Sequence, residues 1–225
     1  MDLGLSEVQQ MLKSSAQEFL TQECPLTLVR EMEDDPQGYT EQLWRQLVAL
    51  GWTGLAFPEQ YGGTAGTFLD LAVLLEEMGK ALVPGPFFST VVLGGLTVMD
   101  AGNEEQKRQI LTGICDGQIR LTMALTEPSA TLEPWGVATT ATRQGDEYVL
   151  NGTKMWITNG GIADIALIWA RDDEGEVRGF VVPSTTAGFK ANPIKRKMSL
   201  RASVTSELVL DDVRVGADQM LPGPR

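Results

Sequence analysis

The hydrophobic pattern of this 225-residue chain changes its period near residue 120, and that change limits the folds open to it. Apolar residues before this point recur every three to four positions, as on one face of a helix, whereas later ones alternate, as in half-buried strands. Helices followed by strands are not the alternating pattern of a parallel βαβ sheet. We therefore predict an α+β multidomain fold, with an all-α helical domain over residues 1–120 followed by an antiparallel β-barrel-like domain over residues 121–225.

Capping residues indicate where the helices begin and end. Ser6 and Asn103 are each followed three positions later by a glutamine, which is the spacing of a capping box. Gly51 and Pro84 stand where two other helices should end. The pattern predicts five helices, which begin near residues 6, 40, 68, 86 and 103.

Turn residues divide the second region into short strands. Asn151-Gly152 lies between two apolar segments, and because both residues tolerate positive φ angles the pair predicts a hairpin turn. Further turns are predicted at Gln144–Asp146 and Asp172–Gly175. The predicted strands cover residues 137–143, 147–150, 154–157, 163–170, 177–182 and 207–215.

Composition and charge exclude several functions. The chain has no histidine, which rules out a Ser-His-Asp triad and His-ligated metals, and its two cysteines are too few for a four-cysteine metal site, so no metal site is predicted. A net charge of −12 disfavours nucleic-acid binding. No signal-peptide pattern opens the sequence, and its longest uncharged stretch is broken by prolines and glycines, so we expect a cytoplasmic protein with no transmembrane segment.

One segment departs from the acidic composition. Lys190–Arg201 contains five cationic residues and no acid. Either the segment is a solvated loop, or it contacts an anionic ligand such as a nucleotide phosphate. A Rossmann turn could not hold such a nucleotide, because no two glycines in the chain are separated by a single residue.

Three stretches of the chain carry patterns more specific than periodicity. They are Met123–Pro128, Asn151–Gly160 and Lys197–Thr205, the last followed by Leu208–Val215. In this order and spacing they resemble the acyl-CoA dehydrogenase family of flavoproteins, and the resemblance extends over the whole chain. The third stretch also somewhat resembles the glutaryl-CoA dehydrogenase branch of that family.

The resemblance implies a helical N-terminal domain, a β middle domain and a C-terminal four-helix domain that together enclose FAD and an acyl-CoA thioester. The third domain, which carries the family's carboxylate base, is not in this sequence. We therefore expect an incomplete FAD-dependent acyl-CoA dehydrogenase for which no catalytic residue can be named; Glu127 could serve as a base, but a structural role is favoured. An acyl-CoA substrate, an electron-transfer flavoprotein as electron acceptor and a homo-dimer or homo-tetramer are also implied.

The resemblance also assigns residues to the flavin. Trp156 would form an aromatic wall beside the isoalloxazine ring, and the hydroxyl group of Thr158 would meet its N5 atom, where a hydrogen-bond donor favours the charge that develops on reduction. Thr126 and the backbone of Leu125 would bind the pyrimidine side. The predicted cofactor-binding residues are Met123, Leu125, Thr126, Trp156, Ile157 and Thr158. Outside this pattern, a tryptophan or threonine in a strand is more often an ordinary structural residue.

The chain departs from the family pattern after the first stretch. Where the family usually has Gly-Ser-Asp, this chain has Thr131, Leu132 and Glu133. Leu132, the predicted substrate-binding residue, offers no hydroxyl group, and Glu133 is longer than an aspartate. The departure predicts an altered substrate mouth and an altered pyrophosphate contact.

Two other functions are compatible with the sequence. The same fold could serve an acyl-CoA oxidase or a flavin monooxygenase, which differ from a dehydrogenase in whether oxygen reaches the reduced flavin. The chain could instead be a catalytically silent binding or assembly subunit, which the loss of Gly-Ser-Asp slightly favours. Peroxide production would identify an oxidase, and a flavin spectrum would count against the silent subunit.

Overall fold

The structure is a computed structural model and describes residues 4–129 and 136–223. Helices precede strands along the chain, which confirms the predicted fold class. The helices are α1 Glu7–Glu23, α2 Leu26–Met32, α3 Glu41–Ala49, α4 Phe68–Lys80, α5 Leu96–Ala101 and α6 Glu104–Cys115. A π-helical segment, Phe88–Gly95, leads directly into α5, and short 3₁₀ turns cover Trp52–Gly54 and Glu59–Tyr61. No helix in these described ranges is both long and apolar enough to cross a membrane.

Both predicted capping boxes are confirmed. Ser6 accepts a hydrogen bond from the backbone N–H of Gln9, whose side chain accepts from the backbone N–H of Ser6 in return. Asn103 and Gln106 form the same reciprocal pair. The sequence analysis missed α2, because its N-cap residue is Pro25, which offers no side-chain oxygen.

The second region forms one seven-stranded sheet. Its strands are β1 Leu121–Ala124, β2 Thr140–Gln144, β3 Glu147–Thr158, β4 Ile165–Asp172, β5 Val177–Pro183, β6 Phe189–Pro193 and β7 Thr205–Gly216. They follow the order β1-β4-β2-β3-β7-β6, and β5 pairs with β4. Strand β6 lies in a segment where no strand was predicted.

The pairing is mostly antiparallel, but the sheet is mixed and not antiparallel throughout. Strand β4 runs parallel to β1 and to β2, and antiparallel to β5. The parallel pairing of β1 with β4 begins at the residues that precede the two strands. The backbone N–H of Asp164 donates to the carbonyl of Arg120 at 2.8 Å, so the two residues that precede these strands lie side by side and both strands leave the same junction in one direction.

The predicted hairpin at Asn151-Gly152 is wrong, because β3 runs through both residues without a turn. The turn lies instead at the predicted Gln144–Asp146 segment, between β2 and β3. Asn151 faces a bulge in β7, where Asp212 has a φ of 52° and its backbone N–H donates to the Asn151 side chain at 2.9 Å. Gly152 is needed for close approach, since a Cβ there would lie 2.5 Å from Thr139 Oγ1.

Two hydrophobic cores share strand β4. Leu167 belongs to a core formed mainly by the helices, whereas Ala166 and Ile168 belong to a second core within the sheet. Because successive residues of a strand face opposite sides, one face of the sheet packs on the helices and the other encloses its own core. The predicted division into domains at residue 120 stays a prediction.

Arg120 joins the two regions. Its guanidinium group donates to Asp164 (Nε to Oδ2, 3.0 Å), to the Tyr39 hydroxyl group and to Glu41 Oε1 at 3.0 Å. Tyr39 and Glu41 lie at the start of α3, whereas Asp164 precedes β4. One side chain therefore fixes the helical region against the end of the sheet from which β1 and β4 start.

Replacing this side chain tests its contribution. We expect Arg120→Met to lower the free energy of unfolding by about 1–3 kcal/mol, because the buried Tyr39 hydroxyl group and the half-buried Asp164 carboxylate lose a donor. Arg214→Met is the matched control, since Arg214 pairs with Glu147 at 3.5 Å on an exposed surface and its loss should cost less than about 0.5 kcal/mol. Urea denaturation measures both changes, and equal effects of the two variants would contradict the role of Arg120.

Candidate functional site

The segment that follows β1 lies beside the end of β3. The backbone N–H of Met155 donates to the carbonyl of Thr126 at 2.8 Å. The hydroxyl group of Thr122 donates to the carbonyl of Thr158 at 2.7 Å. These bonds bring the first and second sequence stretches together, as a shared ligand site would require.

Trp156 lies on a bulge at this junction. Lys154 pairs with Leu208 and Ile157 pairs with Ser206, so β3 carries one residue more than β7 between these pairs. The backbone of Trp156 has a φ of 57°, and its side chain is 54% exposed. The left-handed backbone conformation is sterically costly for a tryptophan, and strain of this kind concentrates at functional sites. The bulge turns the indole ring out of the sheet.

Asn159 holds the end of this segment against the helical region. Its side-chain amide donates to Ser89 Oγ at 2.9 Å and to the carbonyl of Gly85 at 3.3 Å. Its backbone N–H donates to the carbonyl of Val204 at 2.7 Å. Asn159 is 2% exposed and has a φ of 59°, a conformation that asparagine tolerates better than most residues. The sequence analysis gave this residue no role.

The predicted cofactor-binding residues do not all present their side chains to the same space. Met123, Leu125, Thr126 and Thr158 are half-buried, whereas the Ile157 side chain is 3% exposed and packs in the sheet core. Only the backbone of Ile157 is therefore open to a ligand. Leu132, with Thr131 and Glu133, lies outside the described residues.

Glu127 and Lys154 form a buried ion pair beneath the site. Lys154 Nζ lies 2.7 Å from Glu127 Oε1 and 3.2 Å from the carbonyl of Leu125, and its side chain has no solvent exposure. Glu127 also accepts from the backbone N–H groups of Ala138 (2.8 Å) and Thr139 (2.9 Å). The pair ties the segment after β1 to the middle of β3 and to the chain entering β2.

The surroundings of Glu127 decide between its two proposed roles. Burial raises the pKa of this carboxyl group, but hydrogen bonds from Lys154, from the Thr139 hydroxyl group and from two backbone N–H groups outweigh burial and hold the pKa at about 2. A carboxylate with four donors and so low a pKa is a poor proton acceptor. Its geometry supports the structural role.

The sequence analysis missed Lys154, although the strand contained a signal. Lys154 stands in phase with Leu150 and Gly152, on the face of β3 where alternation demands an apolar residue. A buried lysine needs a counter-charge, and Glu127 is the acid of the neighbouring stretch.

Among the described residues, no cluster of Cys, Asp or Glu side chains could hold a metal ion.

Removing one partner of the ion pair should destabilise the protein more than removing both partners. We expect Glu127→Gln to lower the free energy of unfolding by about 3–5 kcal/mol, because Lys154 is left buried without a counter-charge. The double variant Glu127→Gln/Lys154→Met keeps an acceptor for the Thr139 N–H and removes the lysine charge, so it should recover most of the loss. Urea denaturation at neutral pH compares them, and a double variant less stable than Glu127→Gln would contradict the pairing.

The same variants test how much Glu127 contributes to the loss of stability in acid. Because the pKa of Glu127 is depressed from 4.5 to about 2, its stabilisation is complete above pH 4.5 and is lost as the pH falls toward 2. The double variant should therefore lose less stability than the wild type between these pH values. Parallel acid dependence in both proteins would show that Glu127 does not carry the effect.

Comparisons with known proteins identify the family of the chain. The family model for the acyl-CoA dehydrogenase N-terminal domain matches residues 6–118, and the model for the middle domain matches residues 122–213. The probable acyl-CoA dehydrogenase YngJ of Bacillus subtilis is 34% identical over 231 residues, which cover 100% of this chain and 60% of that protein.

Solved structures show the same likeness. A glutaryl-CoA dehydrogenase from Mycobacterium smegmatis in complex with FADH₂ is 36% identical with a TM-score of 0.86, over 97% of this chain and 56% of that one. A chain in the structure of the electron transferring flavoprotein of Acidaminococcus fermentans is 32% identical with a TM-score of 0.87, over 100% of this chain and 60% of its own length.

The chain thus spans about 60% of the length of the relatives that it matches. The two matched domain models follow each other without overlap and meet at the junction that Arg120 holds together. By these matches, the chain belongs to the acyl-CoA dehydrogenase family.

Proposed function

We propose that this chain binds the isoalloxazine ring of FAD against Trp156 and the adjoining segment after β1. The observation that carries the proposal is the exposed indole ring of Trp156, held by a strained backbone in a segment whose nearby polar groups include some with no hydrogen-bond partner among the described residues. Within the described part of the chain, the hydroxyl groups of Thr126 and Thr158 and the backbone N–H of Thr126 donate to no acceptor. These groups suit the carbonyl and nitrogen atoms of a flavin.

Different residues of the chain would contact different parts of such a ring. Trp156 offers an aromatic face of low conformational freedom. Thr126 would donate to the pyrimidine side of the ring, and the Thr158 hydroxyl group would donate to its N5 atom. Bound FAD supplies the hydride acceptor, and a preorganised donor at Thr158 favours the negative charge that develops there.

We further propose that the whole protein removes hydrogen from the α and β carbons of an acyl-CoA thioester to give a 2-enoyl-CoA, with an electron-transfer flavoprotein as acceptor. The FADH₂ complex of the Mycobacterium smegmatis relative and the electron transferring flavoprotein structure support this assignment. Of the carboxylates in the described site, Glu127 is neutralised by Lys154, so the base would come from another part of the protein.

Flavin titration tests the cofactor proposal. We expect the purified chain to bind FAD, and Trp156→Ala to weaken binding about tenfold because the ring loses its aromatic contact. Thr158→Val should weaken binding about threefold to tenfold through the loss of one hydrogen bond. Flavin fluorescence and absorbance measure the dissociation constants.

The controls for this titration replace the same residue types away from the site. Phe68→Ala removes an aromatic side chain that is 64% exposed on α4, and Thr142→Val changes an exposed threonine of β2. Both should bind FAD like the wild type. A chain that binds no FAD, or controls that weaken binding as much as the site variants, would overturn the proposal.

A second measurement concerns the reaction. We expect no bleaching of the flavin band when the FAD-loaded chain is mixed anaerobically with butyryl-CoA or glutaryl-CoA, because the absence of a general base typically costs about 10²–10⁴ in rate. Stoichiometric bleaching by either thioester would show that a base lies within these 225 residues. Peroxide formation in air after bleaching would favour the oxidase alternative.

A further inference from the structure

The loop between β6 and β7 is closed by one ammonium group. Lys197 Nζ donates to the carbonyl of Leu200 at 2.8 Å, to Thr205 Oγ1 at 2.8 Å and to the carbonyl of Ser203. An ammonium group has three donors, and here all three converge on groups of its own loop. Lys197 is therefore occupied inside the molecule and is unavailable to an external anion.

The backbone of this loop is strained around Lys197. Arg196 has a φ of 60° and Leu200 a φ of 50°, both in the left-handed region and neither a glycine. Such conformations persist only where surrounding contacts determine them. The carbonyl of Leu200 is itself one of the three acceptors, so the ammonium group holds a residue whose backbone would otherwise relax.

The loop leads directly to the proposed flavin site. Thr205 pairs with Thr158 at the end of the β3–β7 ladder, and the carbonyl of Val204 accepts the backbone N–H of Asn159 at 2.7 Å. Val204 lies between Ser203 and Thr205, the two residues that Lys197 also binds. The ammonium group thus fixes the chain on both sides of the carbonyl that holds Asn159.

We propose that Lys197 is a positioning residue for the segment from Trp156 to Asn159, acting through Ser203, Val204 and Thr205. The inference rests on the proposed flavin role of that segment. Ser89 and Gly85 restrain Asn159 from the helical region, whereas Lys197 restrains it from the sheet. Without Lys197, the Val204 carbonyl would lose the contacts that fix it toward Asn159, and the bonds from Thr122 and Gly85 would have to hold the end of the segment and the donor at Thr158 less firmly.

Lys195, in the same loop, provides the control for a substitution of Lys197. Lys195 is exposed and makes no hydrogen bond or ion pair with any residue that the structure describes. Lys195→Met therefore changes the charge of the loop as Lys197→Met does, but leaves the three loop-closing bonds intact. Lys197→Arg keeps the charge but replaces three converging donors by a planar group, so it should restore the geometry only in part.

The first experiment needs no flavin. Amide hydrogen exchange in the full chain should show that Lys197→Met speeds exchange about tenfold or more both in residues 196–205 and at the Asn159 amide, with the helical core unchanged. Lys195→Met should match the wild type, and Lys197→Arg should fall between them. Faster exchange in residues 196–205 with an unchanged Asn159 amide would overturn the proposal, because Lys197 would then shape only its own loop.

The second experiment adds FAD. Lys197→Met should weaken FAD binding about threefold to tenfold and shift the visible circular dichroism of the bound flavin, whereas Lys195→Met should change neither. Unchanged affinity and spectrum in Lys197→Met would also overturn the proposal. If the wild type binds no FAD, the proposed function fails, and hydrogen exchange alone decides whether Lys197 positions Asn159. If Lys197→Met does not fold, Lys197→Arg provides the same comparison.

Discussion

The arrangement of the site depends on one buried ion pair. Glu127 and Lys154 lie on segments far apart in the chain, and their contact at 2.7 Å sets the segment after β1 against the middle of β3. The backbone N–H groups of Ala138 and Thr139 complete the coordination of the carboxylate and attach the chain entering β2. A buried pair of this kind adds little net stability over apolar residues, but it permits one pairing of its segments and penalises others.

Next to this pair along β3, backbone geometry determines which side chains are exposed. A regular strand would point Trp156 into one face of the sheet, whereas the bulge in β3 leaves the indole ring exposed. Asn159 then ends the segment with contacts to both regions of the chain. The exposed indole ring of Trp156 is the feature of this segment on which the proposed flavin site rests.

Local rules predicted the elements of the fold better than their pairing. Periodicity and capping residues located the helices because those signals act within a few residues, as at Ser6 and Asn103. The hairpin expected at Asn151-Gly152 was wrong because the same dipeptide also suits a close approach opposite a bulge, and only the partner strand distinguishes the two. For the site, the family resemblance named Trp156 and Thr158. The phase of β3 indicates that Lys154 is buried, but its partner Glu127 lies in another stretch and could not be identified from the neighbours of Lys154 alone.

Asn159 donates a hydrogen bond to Ser89, so the candidate site depends on contact between the helical region and the sheet. A ligand that binds only when this contact is formed stabilises the docked arrangement by mass action, by about 2.7 kcal/mol when its free concentration is 100 times its dissociation constant. That stabilisation adds to the contacts that already join helices and sheet, such as those of Arg120 and the core around Leu167. Because the two regions cover apolar faces in each other, a ligand that stabilises docking would also lower the fraction of chains that expose those faces to aggregation.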